Sequence, residues 1–150
     1  NVLFIIAISS AMAWAVTTLG VAQALTNFCV AYINNKFVFL LFVNVLLLLI
    51  GMLLDASPAL LLMVPILWPV AKTLGIDAIH FGVMVCFNLM VGTLTPPVGM
   101  MLFIVSNVGK VKLSVMYKGI LPFVAVAVVV LLLITYIPSL TTWLPGVLMP

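Results

Sequence analysis

Gly92-Thr93-Leu94-Thr95-Pro96-Pro97-Val98-Gly99 lies between two apolar runs, Phe81–Val91 and Met100–Val105, neither of which holds a charged residue. Two adjacent prolines remove two backbone donors, and their rings oppose helical hydrogen bonding with the preceding turn. Thr95, standing before Pro96, is driven toward extended backbone, and the glycine at each end tolerates angles that other residues avoid. An apolar helix is therefore broken in its middle, leaving two threonine hydroxyls at the break. Inside a bilayer such a break persists only where it is buried in protein or lines a polar cavity. Ion and small-molecule sites in membranes are often built this way.

The surrounding composition makes the bilayer the relevant solvent. Hydrophobic residues form 67% of the chain and charged residues 5%, with a mean hydropathy of +1.54. Soluble domains run near half apolar and a quarter charged. At about 20 residues per crossing, 150 residues allow roughly five or six passes. The net charge of +3 comes from five lysines against Asp55 and Asp77, with no Arg and no Glu. These lysines stand singly between apolar runs and form no basic face, which excludes a nucleic-acid partner. Cys29 and Cys86 lie in separate apolar stretches and read as small hydrophobes within helices. The chain opens on Asn1, is apolar from Val2, and lacks the basic start and cleavage site of a signal peptide. It reads as a piece of a longer protein, missing its N-terminal part.

Outward from the break, the pattern is that of an all-α integral membrane protein. Residues 1–19 can span, with Trp14 as an interface anchor. Residues 20–35 place Val21, Leu25, Phe28, Tyr32 and Ile33 at helical spacing among polar neighbours, as an amphipathic arm helix at the membrane surface would; the alternative is a frayed end of the first span. Between Lys36 and Lys72 the one charge is Asp55, in Asp55-Ala56-Ser57-Pro58. Pro58 suits the first position of a new helix capped by Asp55 or Ser57. The arms are then Phe37–Leu54 and Ala59–Ala71, the second being about 13 residues and too short to cross. A re-entrant helical hairpin over residues 37–72 accounts for the short arm and puts both lysines on one surface. The competing reading is a true span, a loop at Asp55 and an irregular second span kinked at Pro65 and Pro69. Gly75-Ile76-Asp77 is a turn with Asp77 as a helix cap. A broken transmembrane helix follows over residues 77–109, as Ala78–Val91 and Val98–Val108, then a span over 113–138 ended by Pro138. Residues 139–150 read as an interfacial tail. The cluster Lys110, Lys112 and Lys118 outweighs Lys36 and Lys72, so it belongs in the cytoplasm, with the hairpin mouth and C-terminus outside.

Catalysis is disfavoured by what the chain holds. His80 is the only histidine, so neither a multi-histidine metal site nor a Cys/His dyad of ordinary geometry can be built. Three residues after Asp77, it reads as an interfacial or capping group. No nucleophile elbow, phosphate loop or zincin motif occurs. Asp55 is the one acid deep in an apolar stretch, and an intramembrane carboxyl is a functional-site candidate by default; the alternative is a cap at a water-exposed loop. The break offers a cation free carbonyls around Val91–Thr93, at the negative end of a half-helix, and the hydroxyls of Thr93 and Thr95. The next half-helix presents its positive end near Val98–Gly99, suited to an anionic group. The alternative is a proline kink needed only for packing. Asn88, one turn earlier, either faces the same cavity or bonds another helix.

These residues resemble the large membrane subunit of tripartite ATP-independent periplasmic (TRAP) transporters, of the DctM type. The resemblance rests on Gly51-Met52-Leu53-Leu54-Asp55, Pro65-Ile66-Leu67-Trp68-Pro69, Gly75-Ile76-Asp77, His80-Phe81-Gly82 and Thr95-Pro96-Pro97-Val98-Gly99 in that order. It is close from Asn44 to Leu102 and looser elsewhere. It implies the second of two inverted repeats of an elevator-type importer in the bacterial inner membrane. Implied with it are Na⁺ as coupling ion, no other cofactor, a small membrane subunit and a periplasmic solute-binding protein as partners, and a small organic anion (a C4-dicarboxylate, sialic acid or another sugar acid) as substrate. Carried over by position, Asp55, Ala56, Ser57, Gly92, Thr93, Thr95 and Gly99 would hold Na⁺, and Thr95, Pro96, Pro97 and Val98, with Asn88, would face the substrate. The alternatives are an ion-coupled carrier of another inverted-repeat family and a membrane assembly subunit that transports nothing.

Overall fold

The computed structural model describes Thr18 and residues 35–96 and 99–148. Apart from Thr18 and Asn35, the expected first span and arm helix lie outside the described residues. Among those described, every regular element is a helix: α1 (Lys36–Leu53), α2 (Ala56–Thr73), α3 (Ala78–Leu94), α4 (Met100–Gly109), α5 (Leu113–Tyr136) and α6 (Ser139–Leu148). Of these, α1, α2 and α5 are long and apolar enough to cross a membrane. The all-α membrane class read from composition therefore stands.

Helix α1 begins where the Asn35 side chain accepts a hydrogen bond from the Phe37 N–H at 3.0 Å, satisfying one of the donors a helix start leaves open. It buries Phe39, Leu40, Val43, Asn44, Leu47 and Gly51, a set spaced by three and four that forms one face. Its other face, including Val38, Leu41, Val45 and Leu49, is equally apolar and exposed, as suits a helix that meets lipid there.

The second arm departs from the sequence expectation. It runs 18 residues, Ala56–Thr73, with Pro65 and Pro69 both inside the helix, where about 13 residues from Ala59 were expected. Pro58 is the third helical residue, not the first. The first four N–H groups of a helix have no intrahelical partner, so a proline there removes no bond. Asp55 is the cap, its Oδ1 accepting from the Ala56 N–H at 2.8 Å. The shortness of the second arm therefore no longer argues for a re-entrant hairpin.

Helix α2 ends in a Schellman turn. The Ile76 N–H reaches back to the Ala71 carbonyl at 3.0 Å and the Gly75 N–H to Lys72 at 3.1 Å, which satisfies carbonyls the helix end leaves open. Gly75 sits at φ +68 with open space around it, and Ile76 is buried. Gly75→Ala should thus destabilise the protein by about 1 kcal/mol through its left-handed backbone alone. An unchanged thermal melting temperature of the detergent-purified protein would refute this.

Helix α3 is the hub, packing against each of the other five helices. Aromatic pairs give the directions: Phe37 lies 5.9 Å from Tyr136 and Trp68 lies 5.8 Å from Phe81, centroid to centroid. The start of α1 therefore meets the end of α5, and the end of α2 meets the start of α3. Helices α1 and α3 run parallel, with α2 and α5 antiparallel to them. The mouth of the α1–α2 hairpin and the start of α3 share one end of the bundle. The segment expected as a tail is helical from Ser139 to Leu148, and the hydroxyls of Thr141 and Thr142 both bond the Pro138 carbonyl. It docks at this same end.

Candidate functional site

The break falls later than the glycine at its start suggested. Helix α3 runs past Val91 to Leu94, and its last bond is from the Thr95 N–H to the Gly92 carbonyl at 3.0 Å. Glycine lowers helix propensity without preventing a helix; proline prevents it. In a continuous helix the carbonyls of Gly92 and Thr93 would accept from residues 96 and 97, both prolines here. The carbonyls of Val91 and Gly92, expected to stand free, each accept a bond from Thr95: the hydroxyl reaches Val91 at 2.7 Å and the N–H reaches Gly92. Thr93, 2% exposed, donates its hydroxyl to the Met90 carbonyl at 2.8 Å.

These bonds decide what the hydroxyls can do. A threonine whose proton is committed to a carbonyl presents only lone pairs to any other neighbour. Both threonines at the break are therefore acceptors, and an acceptor suits a cation. On the far side, Gly99 starts α4 at φ 56 with no side-chain cap. A Cβ there would stand 3.0 Å from Leu102 Cδ1 and 3.3 Å from the Thr95 carbonyl oxygen, so the two half-helices turn closely about each other. The negative end of α3 and the positive end of α4 face the same few residues. Pro96 is half-buried; Pro97 and Val98 lie outside the described residues.

Glycines bring the hairpin to this point. A Cβ on Gly92 would lie 2.8 Å from Gly51 Cα and 3.2 Å from the Leu48 carbonyl oxygen; one on Gly51 would lie 3.0 Å from the Leu89 carbonyl oxygen. Backbone thus touches backbone between the last turn of α1 and the last turn of α3. Asp55, four residues beyond Gly51, lies no farther than about 14 Å from that contact by chain length alone. Asp55 and Ser57 are exposed and Ala56 half-buried. Among the described residues no hydrogen bond joins the hairpin tip to the break.

Two sequence candidates sit elsewhere. Asn88, 0% exposed, donates to the Asn44 side-chain oxygen at 2.6 Å and to its backbone carbonyl at 3.1 Å. Asn44 in turn donates to the Thr135 hydroxyl at 2.8 Å, which donates to the Leu131 carbonyl at 2.7 Å. Of the two readings of Asn88, the geometry displays the helix–helix bond. His80, expected at an interface or as a cap, is instead buried at 1% exposure. Its Nδ1 lies 2.9 Å from the Thr141 hydroxyl. Asp77 is the cap there, accepting from the N–H groups of Ile79 and His80. Asn44 and Thr135 were passed over in the sequence, although Asn44 is a lone polar residue amid the apolar run of α1 and Thr135 follows the apolar run 123–134 of α5, the usual mark of an interhelical bond.

An apolar helical bundle that wraps a broken helix, with acceptor oxygens at the break, is the architecture of membrane carriers. Residues 1–140 match the family described as the tripartite ATP-independent periplasmic transporter, DctM component, and the chain belongs to that family, one of transport permeases and not of enzymes. It is 42% identical over 132 residues to the sialic acid TRAP transporter large permease protein SiaM of Vibrio cholerae, covering 88% of this chain and 31% of that protein. Identity is 37% over 147 residues to the C4-dicarboxylate TRAP transporter large permease protein DctM of the same organism, covering 98% and 32%. It is 38% over 149 residues to YgiK of Salmonella typhimurium, an uncharacterized protein, covering 99% and 34%. The chain spans about a third of the length of these relatives.

Proposed function

We propose that this chain is the C-terminal repeat of the large permease of a Na⁺-coupled importer for small organic anions. The observation that carries the proposal is the break itself. Two threonine hydroxyls have their protons turned into α3, and the adjacent end of α4 is uncapped. The first suits a cation and the second an anionic group. The relatives named for sialic acid and for C4-dicarboxylates have substrates that share a carboxylate, which fits the anionic half of the site. Asp55, Ala56 and Ser57 complete the ion site from the hairpin side, and Pro96, Pro97 and Val98 face the substrate.

The depth at which α1 ends, and not the length of the hairpin's helices, supports the re-entrant reading. Helix α5, 24 residues, extends about 36 Å, and α1, 18 residues, about 27 Å. Where α1 ends against the break, α4 still has 10 residues, about 15 Å, to run. The hairpin tip then stops inside the bilayer, at the depth of the break. In this reading the protein lies in the bacterial inner membrane with Lys110, Lys112 and Lys118 cytoplasmic and its C-terminus periplasmic. It moves as an elevator, works with a small membrane subunit, and receives its anion from a periplasmic binding protein.

The test is uptake by the intact three-component transporter in proteoliposomes, with sialic acid or succinate as the labelled anion. Uptake driven by a Na⁺ gradient and lost when choline replaces Na⁺ is expected. Equal uptake in both would remove the coupling ion from the proposal. Asp55→Asn preserves the α2 cap while removing the charge, so it should weaken Na⁺ dependence and leave the protein folded. Unaltered Na⁺ dependence in that variant would reduce Asp55 to a cap.

A further inference from the structure

We infer that Asn44, Asn88 and Thr135 are positioning residues for the ion site, setting the register in which the hairpin meets the break. The inference rests on the function proposed above. Helices α1 and α3 present apolar faces to each other, and in lipid such faces specify register weakly, because the tails are as apolar as leucine. The contact between Gly51 and Gly92 is the opposite case. With backbone at van der Waals distance and no side chain between, it exists in one register only. A slide of one turn, about 5.4 Å, would carry Gly51 off Gly92 and set a bulkier neighbour against backbone. Something directional must hold α1 in place, and the polar network is the directional contact available among the described residues.

Its geometry fits the task. Asn88 lies one turn before Gly92 on the same face of α3, and Asn44 lies two turns before Gly51 on the same face of α1. The Asn88 amide grips both the side chain and the backbone of Asn44, which fixes the helix itself and not merely a rotamer. Asn44 then holds α5 through Thr135. All three side chains are buried, and among the described residues none is hydrogen-bonded to a residue of the break. They can act on the ion only through the placement of α1. Buried polar contacts of this kind are best attested as devices that specify register, with little net gain in stability.

The experiment uses the intact transporter in proteoliposomes and reads half-saturating Na⁺ separately from maximal uptake rate. Asn44→Leu and Asn88→Leu keep the helices apolar, and each should raise half-saturating Na⁺ by about fivefold while the maximal rate changes far less. Thr135→Val should do the same and Thr135→Ser should not, because serine keeps the hydroxyl. Thr95→Ala serves as the reference. If it raises half-saturating Na⁺ while the network variants leave it unchanged, the inference is overturned and the proposed function survives. If none of them alters Na⁺ dependence, the ion site and the inference fall together. Should the leucine variants fail to reach the membrane, the Thr135 pair decides: a shift with valine alone supports the role, and equal behaviour of valine and serine overturns it.

Discussion

Gly92→Ala is expected to cut Na⁺-driven uptake about tenfold or more, with the subunit still present in the membrane. The same substitution in an ordinary helix interior stabilises by about 1 kcal/mol, so the sign of the effect is diagnostic. At Gly92 the new methyl would stand 2.8 Å from Gly51 Cα and 3.0 Å from Gly51 C. Both are backbone atoms and cannot rotate away. Overpacking of this kind costs about 1–3 kcal/mol, and here it relaxes by moving α1 off α3, which lifts the hairpin tip from the break. Gly82→Ala, on the same helix with nothing within 4 Å of its Cβ position, is the matched control and should transport normally. Wild-type uptake by Gly92→Ala would mean that close seating of the hairpin is not required.

Thr95→Ala should raise half-saturating Na⁺ by about tenfold, equivalent to about 1.4 kcal/mol, and Thr95→Ser should stay near the parent value. The hydroxyl does two jobs. It donates to the Val91 carbonyl at 2.7 Å, which would otherwise lack a donor because the Thr95 N–H bonds Gly92 instead. In doing so it points its lone pairs away from α3. Alanine leaves the carbonyl unmet and removes an oxygen from the site. Serine restores both. Thr95→Val keeps the shape without the oxygen, so it should behave as alanine does. Valine matching serine would show that only side-chain volume counts at this position.

The break was legible because it depends on bonds that proline cannot make, a property of the sequence itself. Its position was less so, since the helix persists through Gly92 and Thr93 to Leu94 on propensity that neighbouring leucine, valine and methionine supply. The boundary between α1 and α2 was legible from Asp55 and Pro58. The length of the second arm was not, because a proline at the third helical position looks like one at the first. Asn88 carried two alternatives, and the helix–helix bond became visible only with its partner, Asn44, in place. Asn44 is 44 residues away and Thr135 is 91 from Asn44, a separation that no local pattern encodes. The function of Gly51 as a notch appears only when Gly92 is set against it. His80 was misjudged for the same reason, since Thr141, its partner, belongs to a segment that composition marked as a tail.

The contact between Gly51 and Gly92 also governs how the protein can be altered and repaired. When two side chains collide, trimming one restores the other, so a genetic screen recovers suppressors at the partner. Here neither residue has anything to trim, and no amino acid is smaller than glycine. Revertants of Gly92→Ala should therefore never map to position 51. They should fall where the tilt of α1 is set, at Asn44 or Thr135 or along the face that carries Val43 and Leu47. A collection of such revertants would trace, from phenotype alone, the line along which the hairpin leans on its neighbour.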